Sequence, residues 1–192
     1  MVKIILIRHF PTPGNLQKKY IGSTDESISE EGAGPFRERE YPEADVLFAS
    51  PMKRCLETAA LAYPRLTPRL REDFRECSFG DFENLSYQEL SGNGDYQAWV
   101  DSGGTMSFPN GEDPAEFRER CVQAFMKAAR EGYAEGCSAI AFVVHGGTIM
   151  SILDRFSHPR KEYYHWQAPN GTGYTAEFDE TEGRLINICS IL

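Results

Sequence analysis

The stretch IILIRHFPTPGN, residues 4 to 15, runs from four aliphatic residues directly into a cation and an imidazole. The continuous apolar run from Val2 to Ile7 is typical of a central strand that is covered on both faces. Two prolines and a glycine follow and are expected to end the regular structure, because proline lacks a backbone donor and glycine favours turns. Arg8 and His9 are therefore expected at the carboxyl end of a buried strand.

Further along the chain, short apolar runs alternate with segments of helical pattern. The predicted strands are Val2 to Ile7, Asp45 to Ala49, Leu66 to Leu70 and Ser138 to Val144, followed by a hairpin of Thr172 to Phe178 and Leu185 to Ser190. The predicted helices are Ser29 to about Arg39, Met52 to Tyr63 with an N-cap at Ser50-Pro51, Asp113-Pro114 to about Tyr133, and Thr148 to about Phe156. This alternation predicts an α/β three-layer sandwich: a mostly parallel central sheet, one antiparallel edge strand, and helices on both faces.

The length of 192 residues suits one domain that carries an insertion. Residues 77 to 112 are rich in glycine and aromatic side chains and show little periodicity. Short helices are expected there near Tyr87 to Leu90 and Tyr96 to Val100. We therefore expect a single domain over residues 1–192, with a small irregular cap insertion at about residues 84–112.

The charge balance narrows the class of partner. The formal net charge is −9, whereas the phosphate backbone of a nucleic acid calls for an excess of Lys and Arg. No apolar run approaches the roughly 20 residues of a membrane span, and the start of the chain is too short and wrongly flanked for a secretory signal. We expect a small-molecule partner, neither nucleic acid nor membrane, and leave a homodimer open.

The five cysteines are widely spaced and form no CxxC motif. Neither a zinc site nor a disulfide framework is therefore indicated. We expect free thiols and a cytoplasmic location.

Polar side chains follow several of the predicted strands. Arg8 and His9 end the first strand. Arg54 lies one turn into the helix after the second strand, and His145 ends the fourth. Glu76 comes just after the third. Because ligands of open α/β sheets bind outside the carboxyl ends of the strands, we expect these side chains to converge on one edge.

These residue types suit a phosphate site with a nucleophile. Guanidinium groups match phosphate oxygens in bidentate fashion, and helix N-termini add N–H donors. A neutral imidazole can attack phosphorus to form a covalent phosphohistidine, and a second imidazole, if protonated, can stabilise the transferring group. A carboxylic acid such as Glu76, with Glu83 as the next candidate, can protonate the leaving oxygen and then deprotonate water. No metal or cofactor is expected, because two arginines and a histidine supply positive charge.

Four segments, in order, resemble a known family. LIRHFPTPGN is similar to Leu-x-Arg-His-Gly-x-Thr-x-x-Asn, the signature of the histidine phosphatase superfamily, which is also called phosphoglycerate mutase-like. The other three segments are ASPMKRCLETA (49–59), RECSFGDFEN (75–84) and VVHGGTI (143–149). Phe10 departs from the pattern, since it stands where glycine is usual.

The resemblance implies a role for each matching residue. His9 would accept the phosphoryl group, and Glu76 would act as the acid and base. The phosphate would be surrounded by side chains of Arg8, Asn15, Arg54 and His145 and by the Gly146 N–H. The run GNLQKKYIGSTDESISEEG (14–32) further resembles the α-ribazole phosphatase branch, which works in cobalamin assembly. The resemblance thus implies a metal-independent phosphomonoesterase for a small metabolite, such as α-ribazole 5'-phosphate.

Two other functions stay open at this point. A phosphoglycerate mutase-type phosphotransferase would need a well-closed cap, and the insertion is short for that. A phosphate-binding protein with weakened chemistry would result if Phe10 blocked the pocket. We expect Phe10 to point away from the phosphate and to pack on the cap or line the substrate mouth.

Some residues outside the four segments allow two interpretations. Lys18 and Lys19 could contact an anionic substrate, although solvated lysines are the commoner case. Trp99, Trp166 and the pair Tyr163-Tyr164 could line the substrate mouth, with packing at least as plausible.

Overall fold

A six-stranded mixed sheet is the middle layer of the computed structural model, which describes residues 1–191. The strands are β1 (Val2–Arg8), β2 (Val46–Ala49), β3 (Arg69–Leu70), β4 (Ala139–Val144), β5 (Gly173–Asp179) and β6 (Arg184–Ile191). Their order is β3-β2-β4-β1-β5-β6, in which β1 to β4 run parallel and the antiparallel hairpin of β5 and β6 forms one edge. The predicted mostly parallel sheet with an antiparallel edge is confirmed.

Helices cover both faces of the sheet. They are α1 (Pro13–Leu16), α2 (Glu30–Ala33), α3 (Lys53–Ala62), α4 (Gly94–Asp101), α5 (Pro114–Ala134) and α6 (Gly146–Phe156). Phe125 of α5 and Ile149 of α6 pack in one core, and Cys55 and Ala59 of α3 pack in the core on the other face. None of the helices in the described chain is long and apolar enough to cross a bilayer.

The first strand shows why its sequence has no polar face. Ile4 and Leu6 lie in the core under α5 and α6, whereas Ile5 and Ile7 lie in the core under α3. All four side chains are fully buried. Side chains alternate between the faces of a strand, so a strand that is covered on both sides must be apolar at every position.

The predicted N-cap at Ser50 is wrong. α3 begins at Lys53 with Met52 in the cap position, and no side chain caps it. The Ser50 hydroxyl instead lies 2.8 Å from Nε2 of His145, so a long-range contact uses the group that a cap would need. In contrast, the predicted cap of α5 is confirmed, because the Asp113 carboxylate accepts hydrogen bonds from the N–H groups of its first turn.

Three predicted elements are shorter or different. Residues 29–39 form only α2 and a 3₁₀ turn at Gly34–Phe36, since Pro35 lacks the N–H that a continuing helix requires. The third strand contains two residues rather than five. It pairs with the four-residue β2 through these two residues only. Residues 87–90 form a turn, whereas α4 confirms the helix expected near Tyr96 to Val100.

The segment of residues 84–112 packs on a small third core. Leu90 and Phe108 from this segment meet Phe82 and Phe117 there. The rings of Trp99 and Phe108 lie 5.2 Å apart between centroids. These contacts place an aromatic layer above the carboxyl edge of the sheet.

Candidate active site

A cavity of about 380 Å³ opens at the carboxyl ends of β1 and β4. Five of the residues that the sequence singles out line its wall: Arg8, His9, Asn15, Glu76 and Gly146. Arg54 and His145 are fully buried behind them, and the rings of His9 and His145 lie 5.2 Å apart. The fold thus brings the predicted residues together, with two of them beneath the cavity rather than on its wall.

His9 is held as a neutral imidazole. Its Nδ1 lies 2.7 Å from the carbonyl oxygen of Phe10, so the proton is assigned to Nδ1. Burial, and then the charges of Arg54 and Arg8, lower the pKa of His9 well below the usual 6.5. Nε2 therefore carries a lone pair and has no hydrogen-bond partner in residues 1–191, as a nucleophile requires.

Arg54 and His145 form a buried pair. The two terminal nitrogens of Arg54 donate to the carbonyl oxygens of Thr24 and Gly22, each at 2.8 Å. Arg54 Nε donates to His145 Nδ1 at 3.3 Å, so the His145 proton resides on Nε2 and is donated to Ser50 at 2.8 Å. Burial, and then the charge of Arg54, lower the pKa of His145 well below its usual value. The structure thus favours a neutral His145, not the protonated form considered from the sequence.

Arg8 offers donors that no neighbour uses. One terminal nitrogen donates to the carbonyl oxygen of Ala168 at 2.8 Å, but Nε is buried without a partner in the part of the chain that the structure describes. The guanidinium lies beside Gly146, in the first turn of α6, where N–H groups lack intrahelical acceptors. A buried orphan donor next to a helix N-terminus favours the binding of an anion.

Asn15 is oriented by two donors on the same oxygen. Its Oδ1 accepts from the Thr12 N–H at 3.3 Å and from Asn170 Nδ2 at 3.2 Å. The side-chain NH₂ of Asn15 is therefore left for a ligand in the cavity that it lines. Asn170 also donates to the carbonyl oxygen of His9 at 3.0 Å. Sequence reasoning missed Asn170, because Asn-Gly before a strand indicates only a turn.

Glu76 lies against the first turn of α6. Its carboxyl oxygens accept from the N–H groups of Cys77 at 3.0 Å and Gly147 at 3.4 Å. Burial raises the pKa of Glu76 and outweighs these hydrogen bonds and the charges of Arg54 and Arg8, which act to lower it. A raised pKa suits a carboxylic acid that must deliver a proton.

Glu83, the other candidate acid, has a different environment. Its carboxylate accepts from the N–H groups of Gly22 at 3.1 Å, Ser23 at 2.7 Å and Phe79 at 3.1 Å, and from the Thr24 hydroxyl at 2.8 Å. Burial opposes ionisation, but these hydrogen bonds together lower the pKa of Glu83. The ionised Glu83 carboxylate thus fixes the backbone of residues 22–24. The carbonyl oxygens of Gly22 and Thr24 in turn accept hydrogen bonds from Arg54.

Phe10 points away from the cavity, as expected. Its ring is fully buried and stacks on Phe36, with 5.0 Å between centroids. Its N–H donates to the Thr58 hydroxyl at 2.8 Å. The expectation that Phe10 packs on the cap or lines the mouth is wrong, because Phe36 and Tyr41 provide its packing site. The ring therefore does not obstruct the cavity.

The remainder of the cavity wall is aromatic and cationic. Its aromatic residues are Tyr20, Phe79, Trp99, Phe108, Phe117, Tyr163 and Tyr164, and its further cations are Lys18, Lys19 and Arg118. Trp166 belongs instead to the core under α5 and α6. All five cysteines are free thiols. In residues 1–191, no group of three or more His, Cys, Asp or Glu side chains is placed to hold a metal ion.

Comparison with known proteins identifies the family. The model of the histidine phosphatase superfamily (branch 1) matches residues 4–190. The chain belongs to the histidine phosphatase superfamily. Membership and the names of its relatives make it a hydrolase of the histidine phosphatase type.

This histidine phosphatase has relatives along most of its length. It is 28% identical to the uncharacterized phosphatase PhoE of Bacillus subtilis (strain 168), over 96% of this chain and 93% of that protein. A putative alpha-ribazole-5'-P phosphatase from Escherichia coli superposes with a TM-score of 0.83 at 21% identity, over 99% of this chain and 95% of that one. A phosphoglycerate mutase from Thermus thermophilus superposes with a TM-score of 0.75 at 22% identity, over 100% and 99%. At these identities the two structures show the shared fold alone.

Proposed function

We propose that this histidine phosphatase is a metal-independent phosphomonoesterase that forms a phosphohistidine at His9. One observation carries the proposal: a neutral, buried imidazole with a free Nε2 shares a cavity with the orphan donor of Arg8 and the raised-pKa carboxyl of Glu76. The first group suits a nucleophile, the second an anion, and the third a general acid.

In the first step, Nε2 of His9 attacks phosphorus and the bond between phosphorus and the leaving oxygen breaks. Glu76 gives its proton to that oxygen, so an alcohol leaves and a carboxylate remains. Arg8, the Asn15 amide and the Gly146 N–H hold the phosphoryl oxygens. Arg54 supplies positive charge from behind the site, and the neutral His145 helps to hold it there, because His145 Nδ1 accepts a hydrogen bond from Arg54 Nε.

In the second step, water attacks the phosphoryl group on His9. The Glu76 carboxylate takes a proton from the water, and the bond between nitrogen and phosphorus breaks. Inorganic phosphate leaves, His9 returns to its neutral form, and Glu76 is protonated again. Phe10 contributes to both steps only through its carbonyl oxygen, which fixes the Nδ1 proton of His9.

The substrate in this proposal is a small phosphorylated metabolite, with α-ribazole 5'-phosphate as the first candidate. The support for that candidate is the fold shared with the Escherichia coli protein and the resemblance of residues 14–32. Hydrolysis of α-ribazole 5'-phosphate would place the chain in cobalamin biosynthesis. The proposal includes one domain over residues 1–192 with a cap at 84–112, and a cytoplasmic location, which the five free thiols support.

His9→Ala tests the proposal with p-nitrophenyl phosphate as substrate. We expect turnover to fall by about a thousandfold or more, because the nucleophile is removed. His165→Gln is the control, since His165 is exposed and lies outside the cavity. Wild-type enzyme quenched with SDS at alkaline pH should carry a protein-bound phosphate that is stable in base and released by acid, and His9→Ala should lack it. Turnover like that of the wild type in His9→Ala would contradict the proposal.

Glu76→Gln tests the general acid. An alkyl phosphate needs its leaving oxygen protonated, whereas p-nitrophenolate leaves readily without a proton. We therefore expect the variant to lose far more activity on glycerol 3-phosphate than on p-nitrophenyl phosphate. Equal losses on both substrates would remove Glu76 from this role.

A substrate panel separates the phosphatase from the mutase. It contains α-ribazole phosphate, phosphoglycerates and sugar phosphates. Release of inorganic phosphate is expected throughout. Interconversion of phosphoglycerates that is faster than hydrolysis would favour the phosphotransferase instead.

A further inference from the structure

Three cations on the cavity wall have no part in the proposed chemistry. Lys18, Lys19 and Arg118 line the same cavity as His9. The chain holds 29 Asp and Glu residues, yet no ion pair within residues 1–191 involves any of the three. Lys19 lies near Glu89, which partly balances it. Lys18 and Arg118 are thus the cations most available to a ligand.

Arg118 is oriented by stacking. Its guanidinium carbon lies 3.7 Å from the centroid of the Tyr163 ring, and no hydrogen bond in the described chain uses its N–H groups. A guanidinium that is held flat on a ring keeps its donor edge free to form bidentate bonds to an oxyanion. The half-buried Arg118 therefore presents a preformed donor fork at low entropic cost.

The position of Arg118 relates it to the reacting centre. The Tyr163 hydroxyl lies 3.5 Å from the carbonyl oxygen of Gly147, and the N–H of Gly147 points to Glu76. One tyrosine side chain thus separates the Arg118 guanidinium from the turn that contacts the general acid. Because Glu76 serves the leaving oxygen in the proposed mechanism, Arg118 lies on the alcohol side of the substrate.

We propose that Arg118, assisted by Lys18, binds a second anionic group in the alcohol part of the substrate, either a carboxylate or a second phosphate. This inference rests on the proposed phosphatase function and specifies its substrate class. A chain of net charge −9 repels anions as a whole, so a doubly anionic substrate needs placed cations. The aromatic wall around them lowers the local dielectric and strengthens the attraction.

Two matched substrate pairs test the subsite. 3-Phosphoglycerate carries a carboxylate where glycerol 3-phosphate carries a hydroxymethyl group. Fructose 1,6-bisphosphate and fructose 6-phosphate differ in a second phosphate. In one of the two pairs we expect the wild type to prefer the member with the second anionic group by about tenfold in kcat/KM, as a charge-assisted bond supplies. The pair that shows the preference identifies the anion as carboxylate or phosphate.

The variants are Arg118→Gln and Arg118→Lys, with Arg130→Gln as the matched control. Arg130 lies on the same helix, is exposed, and is outside the cavity, so its replacement changes the net charge equally. Arg118→Gln should abolish the preference. It should leave kcat/KM for glycerol 3-phosphate and fructose 6-phosphate within about twofold of the wild-type values. Arg118→Lys should keep part of the preference, and Arg130→Gln all of it.

Two results would overturn the proposal: a wild type without preference in either pair, or an Arg118→Gln variant that affects both members of a pair equally. Calorimetric binding of the same compounds to His9→Ala, with and without Arg118→Gln, gives a readout that does not require turnover. A wild type that hydrolyses nothing refutes the phosphatase function alone. In that calorimetric comparison, equal binding of the members with and without the second anionic group refutes the subsite alone.

Discussion

Phe10 stacks on Phe36 with 5.0 Å between ring centroids and 21° between ring planes. The residue after His9, where glycine is usual in the family signature, thus has its side chain on the side away from the cavity. Tyr41 lies 6.3 Å from the same ring, so an aromatic group packs beneath the loop that carries His9. Phe10 thus packs to support this loop, and its ring does not obstruct the cavity.

Replacing Phe10 with Ala should destabilise the protein by about 3–5 kcal/mol, as for other buried phenylalanines, without raising turnover. Chemical denaturation and a p-nitrophenyl phosphate assay measure the two effects. A double-mutant cycle with Phe36→Ala should give a coupling of about 0.5–1.5 kcal/mol, as expected of a stacked pair. A faster enzyme of unchanged stability would show instead that the ring obstructs the cavity.

Glu83 acts on Arg54 through residues 22–24. Its carboxylate fixes the N–H groups of Gly22 and Ser23, and the carbonyl oxygens of Gly22 and Thr24 accept from Arg54. Glu83→Gln should therefore loosen Arg54 and lower kcat/KM by about tenfold. The shape of the pH–rate profile should stay the same, because the proposed mechanism assigns the proton transfer to Glu76 and not to Glu83.

Glu43→Gln is the control for that experiment. Glu43 is exposed and lies outside the cavity, so its replacement removes a carboxylate without changing the site and should leave kcat/KM unchanged. If Glu83→Gln removed the basic limb of the pH–rate profile while Glu76→Gln kept it, the acid role would belong to Glu83.

The sequence predicts the features that depend on strand order and local pattern. The apolar run before Arg8 and the run before His145 indicate parallel strands, and parallel strands deliver their carboxyl ends to one edge. The position of each histidine at a strand end is sufficient to place both on one edge. That their rings meet follows from the adjacency of β1 and β4, which the sequence does not predict.

The contacts that tune these groups depend on long-range packing that no local pattern encodes. Arg8 donates to Ala168 across 160 positions, and Asn170 reaches His9 across 161. Ser50 resembles an N-cap in sequence and is a hydrogen-bond partner of His145 in the structure. Such roles follow only from the folded arrangement, because the same residue types serve equally well in turns and caps.

Gly147 is required for the approach of Glu76 to α6. A Cβ at this position would lie 2.6 Å from a Glu76 carboxyl oxygen and 2.8 Å from the Phe117 ring, whereas a Cβ at Gly146 would lie 3.4 Å from the Arg8 side chain. Gly147→Ala should therefore displace Glu76, the proposed acid, and lower kcat by about 10²-fold, with a smaller loss for Gly146→Ala. Steady-state kinetics with an alkyl phosphate measure both. A Gly147→Ala enzyme more active than Gly146→Ala would contradict this geometry.

The buried histidines predict a loss of stability in mild acid. The pKa values of His9 and His145 are both held well below 6.5 in the folded chain, whereas the unfolded chain binds protons near 6.5. The stabilisation that comes from keeping both imidazoles neutral is thus fully present above about pH 6.5 and is lost as the pH falls below it. Each histidine contributes up to about 1.4 kcal/mol per pH unit to the slope. Urea denaturation between pH 7.5 and 5 measures how the free energy of unfolding changes with pH.

Glu76 works in the opposite direction, since its raised pKa favours the folded state as the pH falls. The decisive quantity is therefore the difference between variants rather than the slope of the wild type. His145→Asn removes one buried titrating group and should flatten the acid dependence by about one proton. Equal slopes for wild type and His145→Asn would mean that His145 takes up its proton in the folded state, and the neutral Arg54–His145 pair would then be wrong.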